Sequence, residues 1–307
     1  MRMTDLDVTW TADRAHEVVG LQFPQFADQT PTLLGRGWDN LCVLYPDSTV
    51  FRLPTRQLGG DIMTIECAVL PKIAPFMNIG VPDFQYFGQP KGDYQWQFVG
   101  YPFLVGLTSE NLSWTADERT KAATALGRFL NGLHKIPISP ELQQVLPPDL
   151  IDRTRPVALL KRIEKFSGQI QEAFPDRIRW AKNLHDLGHE IGQGVNVEPM
   201  FSVVHGDLYP RHILADDLKQ ITGIIDWGDV HLGHPFLDIS IAYTFLEASE
   251  RDEFWSAYQL PVSLDMKAMA RLKAINYALI LFLYGHHTQD EKLIVLSDLI
   301  ANRVQRE

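Results

Sequence analysis

Hydrophobic and polar positions form short blocks through the first hundred residues. The apolar runs LCVLY (41–45), TVFRLP (49–54) and YQWQFV (94–99) are rich in β-branched and aromatic residues. The turn-forming sequence PDS (46–48) separates the first two runs. Short apolar runs bounded by turn residues are typical of strands. We therefore predict a strand-rich first part whose first two strands pair as a hairpin.

A different spacing marks residues 61–73, with the sequence DIMTIECAVLPKI. Ile62, Ile65, Val69 and Ile73 recur there at intervals of three or four residues. That interval places side chains on one face of a helix. We predict a helix over this segment, with these four side chains on one face.

The segment GYPF (100–103) follows the run 94–99 and combines a glycine with a proline. Both residue types interrupt regular structure. We predict that this segment breaks the strand and forms a hinge between two lobes. The first lobe would comprise residues 1–99 and the second lobe residues 100–307.

Beyond the predicted hinge, the spacing of apolar residues becomes helical. Residues 118–134 and 266–285 each place apolar side chains at helical intervals. Residues 236–248 are apolar on nearly all sides, which predicts a buried helix. The runs at 213–216 and 221–227 predict a second hairpin. The chain is therefore expected to be an α+β protein, with a small strand-rich half followed by a larger helical half.

Composition narrows the class of protein and of partner. The chain has 307 residues, of which 45% are hydrophobic and 21% charged, a balance typical of globular proteins. Its net charge of −10 argues against a nucleic-acid partner and would suit a cationic small molecule, or serve solubility alone. Two cysteines, Cys42 and Cys67, make no disulfide framework. We expect a cytoplasmic monomer with no signal segment. We expect no membrane partner, because the apolar stretch 275–284 is too short to span a bilayer.

Candidate chemistry lies in the segment VVHGDLYPRHIL (203–214). Phosphoryl transfer needs a carboxylate that orients the attacking hydroxyl, and groups that hold Mg²⁺ against the nucleotide phosphates. The kinase loop H-R-D-x-x-x-x-N supplies an Asp base and an Asn metal ligand. Asp207 stands at the base position here, and His212 stands at the Asn position. The alternative for Asp207 is a loop carboxylate that caps backbone N–H groups.

A second carboxylate follows 19 residues after Asp207. Asp226 lies in the sequence IIDWGD, at the end of an apolar run, where a second metal ligand is needed. The alternative is an Asp that caps the turn after a strand. Together the two segments indicate a metal-dependent phosphoryl-transfer site with Asp207 as base and with His212 and Asp226 as Mg²⁺ ligands.

HGDLYPRH followed by IIDWGD resembles the aminoglycoside phosphotransferase family, whose members are small-molecule kinases with a protein-kinase-like fold. Within that family, a His in place of the Asn is similar to the macrolide phosphotransferase branch. The similarity runs from about residue 33 to about residue 245. The resemblance implies a bilobal fold with an antiparallel-sheet lobe, 1–99, that binds nucleotide. It implies a larger, mainly helical lobe, 100–307, for catalysis and acceptor binding.

The resemblance also implies residues of a nucleotide site. LGRGWDN (34–40) resembles the family's glycine-containing loop, in which Gly35 and Gly37 let backbone N–H groups approach phosphate oxygens. Arg52 stands where the family usually has a phosphate-binding lysine, with Arg56 as a competitor. Glu66 stands where the family has the glutamate that pairs with this cation.

The nucleotide base is expected to lie against the hinge around Phe98 to Tyr101, bonded to backbone groups. Asp229 would either face the substrate or cap a turn. His205, His234 and Asp238 are expected to be structural, with Asp238 a buried carboxylate at a helix start near the catalytic loop.

These features predict a phosphotransferase that uses Mg²⁺ and either ATP or GTP to phosphorylate a small-molecule hydroxyl. The expected acceptor is an antibiotic, with a macrolide as first choice and an aminoglycoside as second. One alternative is a metabolic kinase of the same fold that acts on an amino alcohol or a sugar. A remote alternative is a protein that binds nucleotide without turnover.

Overall fold

The computed structural model describes residues 10–37, 39–149 and 153–306, so Trp38 of the predicted glycine loop lies outside the described residues. The chain divides into two compact units. The first extends to Pro75 and resumes over Gly80–Leu104, and the second comprises Phe76–Ile79 together with the chain from Val105 onward.

The described part of the first unit is built on a five-stranded sheet in the order β1-β2-β3-β5-β4, with every neighbouring pair antiparallel. Its elements are α1 (Ala12–Gly20), β1 (Thr32–Arg36), β2 (Asn40–Leu44), β3 (Thr49–Pro54), α2 (Gln57–Ile73), β4 (Tyr86–Gly88) and β5 (Phe98–Pro102). The predicted hairpin is confirmed, because β2 and β3 pair in register across the turn at 46–48.

An aromatic core fixes the centre of this sheet. The Phe26 ring lies 4.8 Å from the Tyr45 ring and 5.0 Å from the Phe51 ring, both in edge-to-face geometry. Edge-to-face pairs add to the free energy gained by burying apolar area. Successive side chains of a strand point to opposite faces, so anchoring Phe51 in this core directs its neighbour Arg52 to the other face of β3.

The prediction that GYPF breaks a strand is wrong. β5 begins at Phe98 and runs through Gly100 and Tyr101, pairing with β3 on one side and β4 on the other. A Cβ atom on Gly100 would lie 2.6 Å from the Phe51 ring. The glycine therefore makes room for the aromatic core, and the strand continues through it.

The predicted helix is present as α2 and begins four residues earlier than expected. Of the four apolar side chains on the predicted face, Val69 and Ile73 are buried, and Ile62 and Ile65 are half-buried. Glu66 is buried with Val69 and Ile73. The buried side of this helix therefore includes a charge as well as apolar side chains.

The described part of the second unit is mainly helical, which confirms the predicted α+β class. Its helices are α3 (Ala116–His134), α4 (Pro140–Gln143), α5 (Pro156–Ala173), α6 (Ile178–Gly192), α7 (Phe236–Ile239), α8 (Ile241–Thr244), α9 (Arg251–Ala257), α10 (Leu264–Thr288) and α11 (Glu291–Val304). Its strands are β6 (Leu107–Thr108), β7 (Ser202–Val204), β8 (Ile213–Ala215), β9 (Ile221–Ile224) and β10 (His231–Gly233).

The helices predicted over 118–134 and 266–285 are confirmed as α3 and α10, and the second hairpin is confirmed as β8 and β9. The prediction of a single helix over 236–248 is wrong, because the segment forms two short helices. The predicted burial is confirmed for most of its residues. Ser240 separates α7 from α8, and its hydroxyl donates to the Leu237 carbonyl oxygen at 2.7 Å. Among the described helices, none combines the length and apolar character needed to cross a bilayer.

Candidate functional site

The first unit contains a buried ion pair between β3 and α2. The guanidinium of Arg52 donates to a carboxylate oxygen of Glu66, and the two residues are 7% and 1% exposed. Burial alone would lower the pKa of Arg52. The Glu66 carboxylate outweighs this effect, so the pKa of Arg52 is raised above its usual value. The Nε atom of Arg52 is buried with no hydrogen-bond partner among the described residues. Arg52 is therefore a permanent cation held in place by a buried carboxylate.

The competing cation, Arg56, is committed elsewhere. Its Nε atom donates to the carboxylate of Asp39, in the turn after β1. Asp39 also accepts a backbone hydrogen bond from Thr55 at 2.7 Å. Arg56 thus fastens this turn to the end of β3, whereas Arg52 pairs with the buried glutamate.

Gly35 and Gly37 lie at the exposed edge of the sheet. The Gly37 N–H donates to the Asn40 carbonyl oxygen at 2.9 Å and closes the turn between β1 and β2. A Cβ atom on Gly35 would have no atom within 4 Å, and one on Gly37 would lie 3.7 Å from that carbonyl oxygen. The packing of the unit therefore does not require glycine at either position, and the space beside both is open to a ligand.

The two residues predicted near the nucleotide base occupy different environments. Phe98 is fully buried in the aromatic core, and the backbone around it pairs with both neighbouring strands. Its side chain is therefore withdrawn from any ligand. Tyr101 is half-buried near the end of β5, with its ring 5.7 Å from Phe84.

In the second unit, one buried carboxylate organises the loop that follows β7. Asp238 accepts hydrogen bonds from the backbone N–H groups of His205 at 2.8 Å and Gly206 at 2.9 Å. It also contacts His134 Nε2 at 3.1 Å. Burial would raise the pKa of Asp238, but its hydrogen bond with His134 and the neighbouring donors lower it. Asp238 is thus an ionised structural carboxylate, at the position expected from the sequence.

The loop itself needs a glycine and a neutral histidine. Gly206 has φ +84°, and a Cβ atom there would lie 2.4 Å from the Asp229 carbonyl oxygen. His205 donates from Nε2 to the Ile225 carbonyl oxygen at 3.0 Å, and its Nδ1 atom accepts from the Asp207 N–H at 3.3 Å. Burial lowers the pKa of His205, which keeps it neutral. His205 therefore joins the two segments that carry the candidate carboxylates.

Asp207, His212 and Asp226 lie together at the end of this loop. His212 Nδ1 donates to the Asp207 carbonyl oxygen at 2.8 Å, and its Nε2 atom is 3.2 Å from Asp226 Oδ2. The imidazole is nearly buried, but the carboxylates of Asp207 and Asp226 are 40% and 61% exposed. Burial alone would lower the pKa of His212, but the carboxylates of Asp226 and Asp207 outweigh it and raise that pKa to about 9.

This arrangement fits a divalent cation shared by His212 and Asp226. Because Nδ1 is committed to a carbonyl oxygen, a neutral His212 directs the lone pair of Nε2 towards Asp226. Neighbouring ligands of an octahedral Mg²⁺ lie about 3 Å apart, since each bond is about 2.1 Å. No group of three or more metal-ligating side chains occurs in the described residues, so phosphate and water oxygens would complete the coordination.

Sequence reasoning did not find Tyr277, whose hydroxyl donates to Asp207 Oδ1 at 2.7 Å. Tyr277 lies inside the long apolar helix α10, where no motif marks it. Lys273, one turn earlier, places its ammonium 4.4 Å from the centre of the Tyr277 ring. Burial lowers the pKa of Lys273 to about 8.

The structure adds a partner for Asp229, whose carboxylate is 45% exposed, and leaves both predicted roles open. Its carboxylate binds the guanidinium of Arg153, a buried residue that also binds Asp149 at 3.2 Å. His234 is structural, as expected, because it accepts from the Phe236 N–H at 3.2 Å.

Comparisons with known proteins agree with the fold. Residues 32–274 match the sequence profile of the phosphotransferase enzyme family. A stretch of 72 residues is 37% identical to the uncharacterized protein YcbJ of Bacillus subtilis (strain 168), covering 24% of this chain and about a fifth (21%) of that protein's length.

Three solved structures are similar over almost their whole length. The GDP complex of aminoglycoside 2'-phosphotransferase-IIIa has a TM-score of 0.70 at 22% identity, covering 96% of this chain and 99% of that one. Spectinomycin phosphotransferase in complex with ADP and spectinomycin has a TM-score of 0.66 at 14% identity, covering 97% and 99%. Macrolide 2'-phosphotransferase type I has a TM-score of 0.61 at 18% identity, covering 95% and 98%. The predicted kinase-like fold class is confirmed by these likenesses.

Proposed function

Because the chain belongs to the phosphotransferase enzyme family, whose profile matches most of its length, we propose the phosphoryl donor and the acceptor of the reaction that it catalyses. The protein is a phosphotransferase that acts on an alcohol group. We propose that it transfers the γ-phosphate of ATP or GTP to a hydroxyl of a small molecule. The observation that carries this proposal is the cluster of Asp207, His212 and Asp226, in which two half-open carboxylates flank one buried imidazole.

Asp207 is assigned the role of general base. A base must lie within hydrogen-bond reach of the proton that it accepts, so its carboxylate has to be accessible. Oδ1 is occupied by the Tyr277 hydroxyl, which leaves Oδ2 to receive the acceptor hydroxyl. The reaction needs no covalent intermediate, because positioning and electrostatic stabilisation supply most of the rate in phosphoryl transfer.

His212 and Asp226 are assigned to Mg²⁺. A bound Mg²⁺ would neutralise the charge that develops on the phosphate oxygens. Asp226 follows β9 with φ +64°, a left-handed conformation that turns the chain sharply after the strand. The exposed carboxylate is the ligand that Mg²⁺ prefers, and the buried imidazole is oriented by its bond to the Asp207 carbonyl oxygen.

The first unit is assigned the nucleotide, consistent with the predicted roles of residues 1–99 and 100–307. Arg52, held by Glu66, would bind phosphate oxygens, and the open space beside Gly35 and Gly37 would admit the phosphate chain. The backbone near Tyr101 would bind the base. Phe98 would act only as a core residue that anchors β5. GDP and ADP in the similar structures support a nucleoside triphosphate donor.

For the acceptor, we propose a macrolide first and an aminoglycoside second. A polycationic aminoglycoside would need several carboxylates free to receive its ammonium groups. Of the carboxylates near Asp207, those of Asp149 and Asp229 bind Arg153. Lys273 adds a further positive charge in the same region. These side chains favour an acceptor with one amino group or none.

The test is the release of nucleoside diphosphate with ATP and with GTP, across a panel of macrolides and aminoglycosides. Asp207→Ala is the matched control. Stimulation by a macrolide that is lost in the variant would support the proposal. Stimulation by aminoglycosides alone would overturn the order of acceptors and leave the mechanism intact.

Lack of stimulation by any antibiotic, with nucleotide still bound, would contradict the antibiotic assignment. The same assay would then be run with amino alcohols and sugars, which a metabolic kinase would phosphorylate. Absence of turnover with every acceptor would favour the protein that only binds nucleotide.

A further inference from the structure

We infer that Tyr277 is a positioning residue for Asp207, which it holds by one carboxylate oxygen so that the other faces the acceptor hydroxyl. This inference rests on the proposed role of Asp207 as the base. It adds to the candidate site a residue that lies three positions beyond the matched family segment, 32–274.

The two partners differ sharply in exposure. Tyr277 is 5% exposed, whereas the Asp207 side chain is 40% exposed. The terminal torsion of an aspartate is broad, so an exposed carboxylate would by itself sample many orientations. The hydrogen bond of 2.7 Å between the tyrosine hydroxyl and Oδ1 ties the carboxylate to the protein interior. Bonds to charged acceptors are the stronger class of hydrogen bond, which suits this task.

The tyrosine ring is itself held on a rigid element. α10 is 25 residues long, and Tyr277 lies near its middle, among consecutive buried residues. The Tyr209 ring lies 5.4 Å from the Tyr277 ring, and the Lys273 ammonium lies 4.4 Å from the ring centre. Tyr209 belongs to the same loop as Asp207, so the helix contacts that loop through two side chains. A hydroxyl fixed in this way can transmit its position to the carboxylate.

Fixing Oδ1 also defines the second oxygen. Oδ2 lies 3.9 Å from His212 Nδ1, which already donates to the Asp207 carbonyl oxygen. Oδ2 is therefore the oxygen that remains for an acceptor proton. General-base catalysis depends on this geometry, and a displacement of about 1 Å can cost on the order of 100-fold in rate.

A purely structural explanation leads to a different expectation. A buried tyrosine hydroxyl usually finds some hydrogen-bond partner, and Asp207 would then be a convenient acceptor. In that case, loss of the hydroxyl would change stability and leave turnover as it was. The two explanations are separated by comparing kcat, KM and stability in one variant.

The test variant is Tyr277→Phe, which keeps the ring and its contacts and removes the hydroxyl. The matched control is Tyr284→Phe, which removes a hydroxyl from the same helix two turns later. Nucleoside diphosphate release is measured with the acceptor found in the panel and with water as acceptor. We expect kcat of Tyr277→Phe to fall about 10-fold or more, with KM for the nucleotide unchanged and the melting temperature close to that of the control. A kcat within about twofold of wild type would overturn the inference.

A second measurement needs no turnover and separates this inference from the proposed function. Aspartate carboxyl carbons are labelled with ¹³C, and the Asp207 signal is identified by its absence in Asp207→Asn. We expect that signal to shift in Tyr277→Phe and to stay in place in Tyr284→Phe. An unmoved signal would overturn the inference even in an active enzyme. A shifted signal in a protein without turnover would support the contact while the proposed function failed.

Discussion

The two units each bring a cation and a carboxylate together, but they do so in opposite environments. Arg52 and Glu66, the closed pair, are both buried, at 7% and 1% exposure. His212 is equally buried, but the carboxylate of its partner Asp226 is 61% exposed. A guanidinium cannot release its proton, so it needs a permanent partner, whereas an imidazole can become neutral and bind a metal. The closed pair therefore suits a fixed electrostatic role, and the open pair suits exchange of ligands.

The largest effect is expected at the open cluster, from Asp207→Asn. The amide keeps the size and can still accept the Tyr277 hydrogen bond, but it cannot take a proton. General-base catalysis contributes about 100- to 10,000-fold, so kcat should fall by that order with little change in the free energy of unfolding. Steady-state kinetics and denaturant unfolding check both parts. Residual turnover above about a tenth of wild type would rule out the base assignment.

Substitutions in the closed pair, Arg52 and Glu66, should act mainly by lowering the free energy of unfolding. Glu66→Ala leaves the Arg52 guanidinium buried without its partner, and breaking a buried pair in this way costs about 3–5 kcal/mol of unfolding free energy. Asp226→Ala should cost no more than about 1–2 kcal/mol, because His212 can lose its proton and its former partner is exposed. Urea unfolding of both variants measures the difference. Equal losses would show that the two pairs are not distinguished by their burial.

A double variant sharpens the same contrast. Arg52→Met with Glu66→Leu removes both charges and fills the space with apolar atoms, so most of the lost stability should return. Nucleotide binding should not return with it, since the cation is gone. Recovery of binding in the double variant would contradict the role assigned to Arg52.

As pH falls, the second unit should lose folding stability before the first unit does. Burial lowers the pKa of His234 to about 4, so the folded state binds its proton less readily than the unfolded state does. Stability is then lost as pH falls below the unfolded value of about 6.5, by roughly 2 kcal/mol at pH 5 from this residue. His205 and His231 are shifted in the same direction. Hydrogen exchange followed separately in the two units checks this, and an equal response in both would contradict it.

The smallest effect is expected at Gly35. Gly35→Ala adds a methyl group to open space, so stability should stay within about 0.5 kcal/mol of wild type. KM for the nucleotide should rise several-fold if phosphates approach this backbone. Gly100→Ala is the contrasting control, because its methyl group would meet the Phe51 ring and destabilise the sheet. An unchanged KM in Gly35→Ala would exclude this position from the nucleotide site.

Local sequence was sufficient to group the candidate site residues of the second unit. Asp207, His212 and Asp226 were predicted from their spacing, because a loop and the hairpin that follows it bring them together with few intervening residues. Arg153 and Tyr277 could not be found in this way, since Arg153 lies in a turn 54 residues before Asp207 and Tyr277 lies in α10, 70 residues after it. The burial of Glu66 in α2 does not follow from apolar spacing, since it depends on the Arg52 guanidinium from another element.

Asp238 binds the loop after β7 through the backbone amides of His205 and Gly206. Amide groups are the same for every residue type, so Asp238 by itself sets no requirement on the side chains that the loop carries. The backbone path that presents Asp207 is therefore fixed by a carboxylate outside the loop. On this basis, side chains around the proposed base could change with the acceptor while the loop keeps its path, which is one physical route by which a shared fold can serve many acceptors.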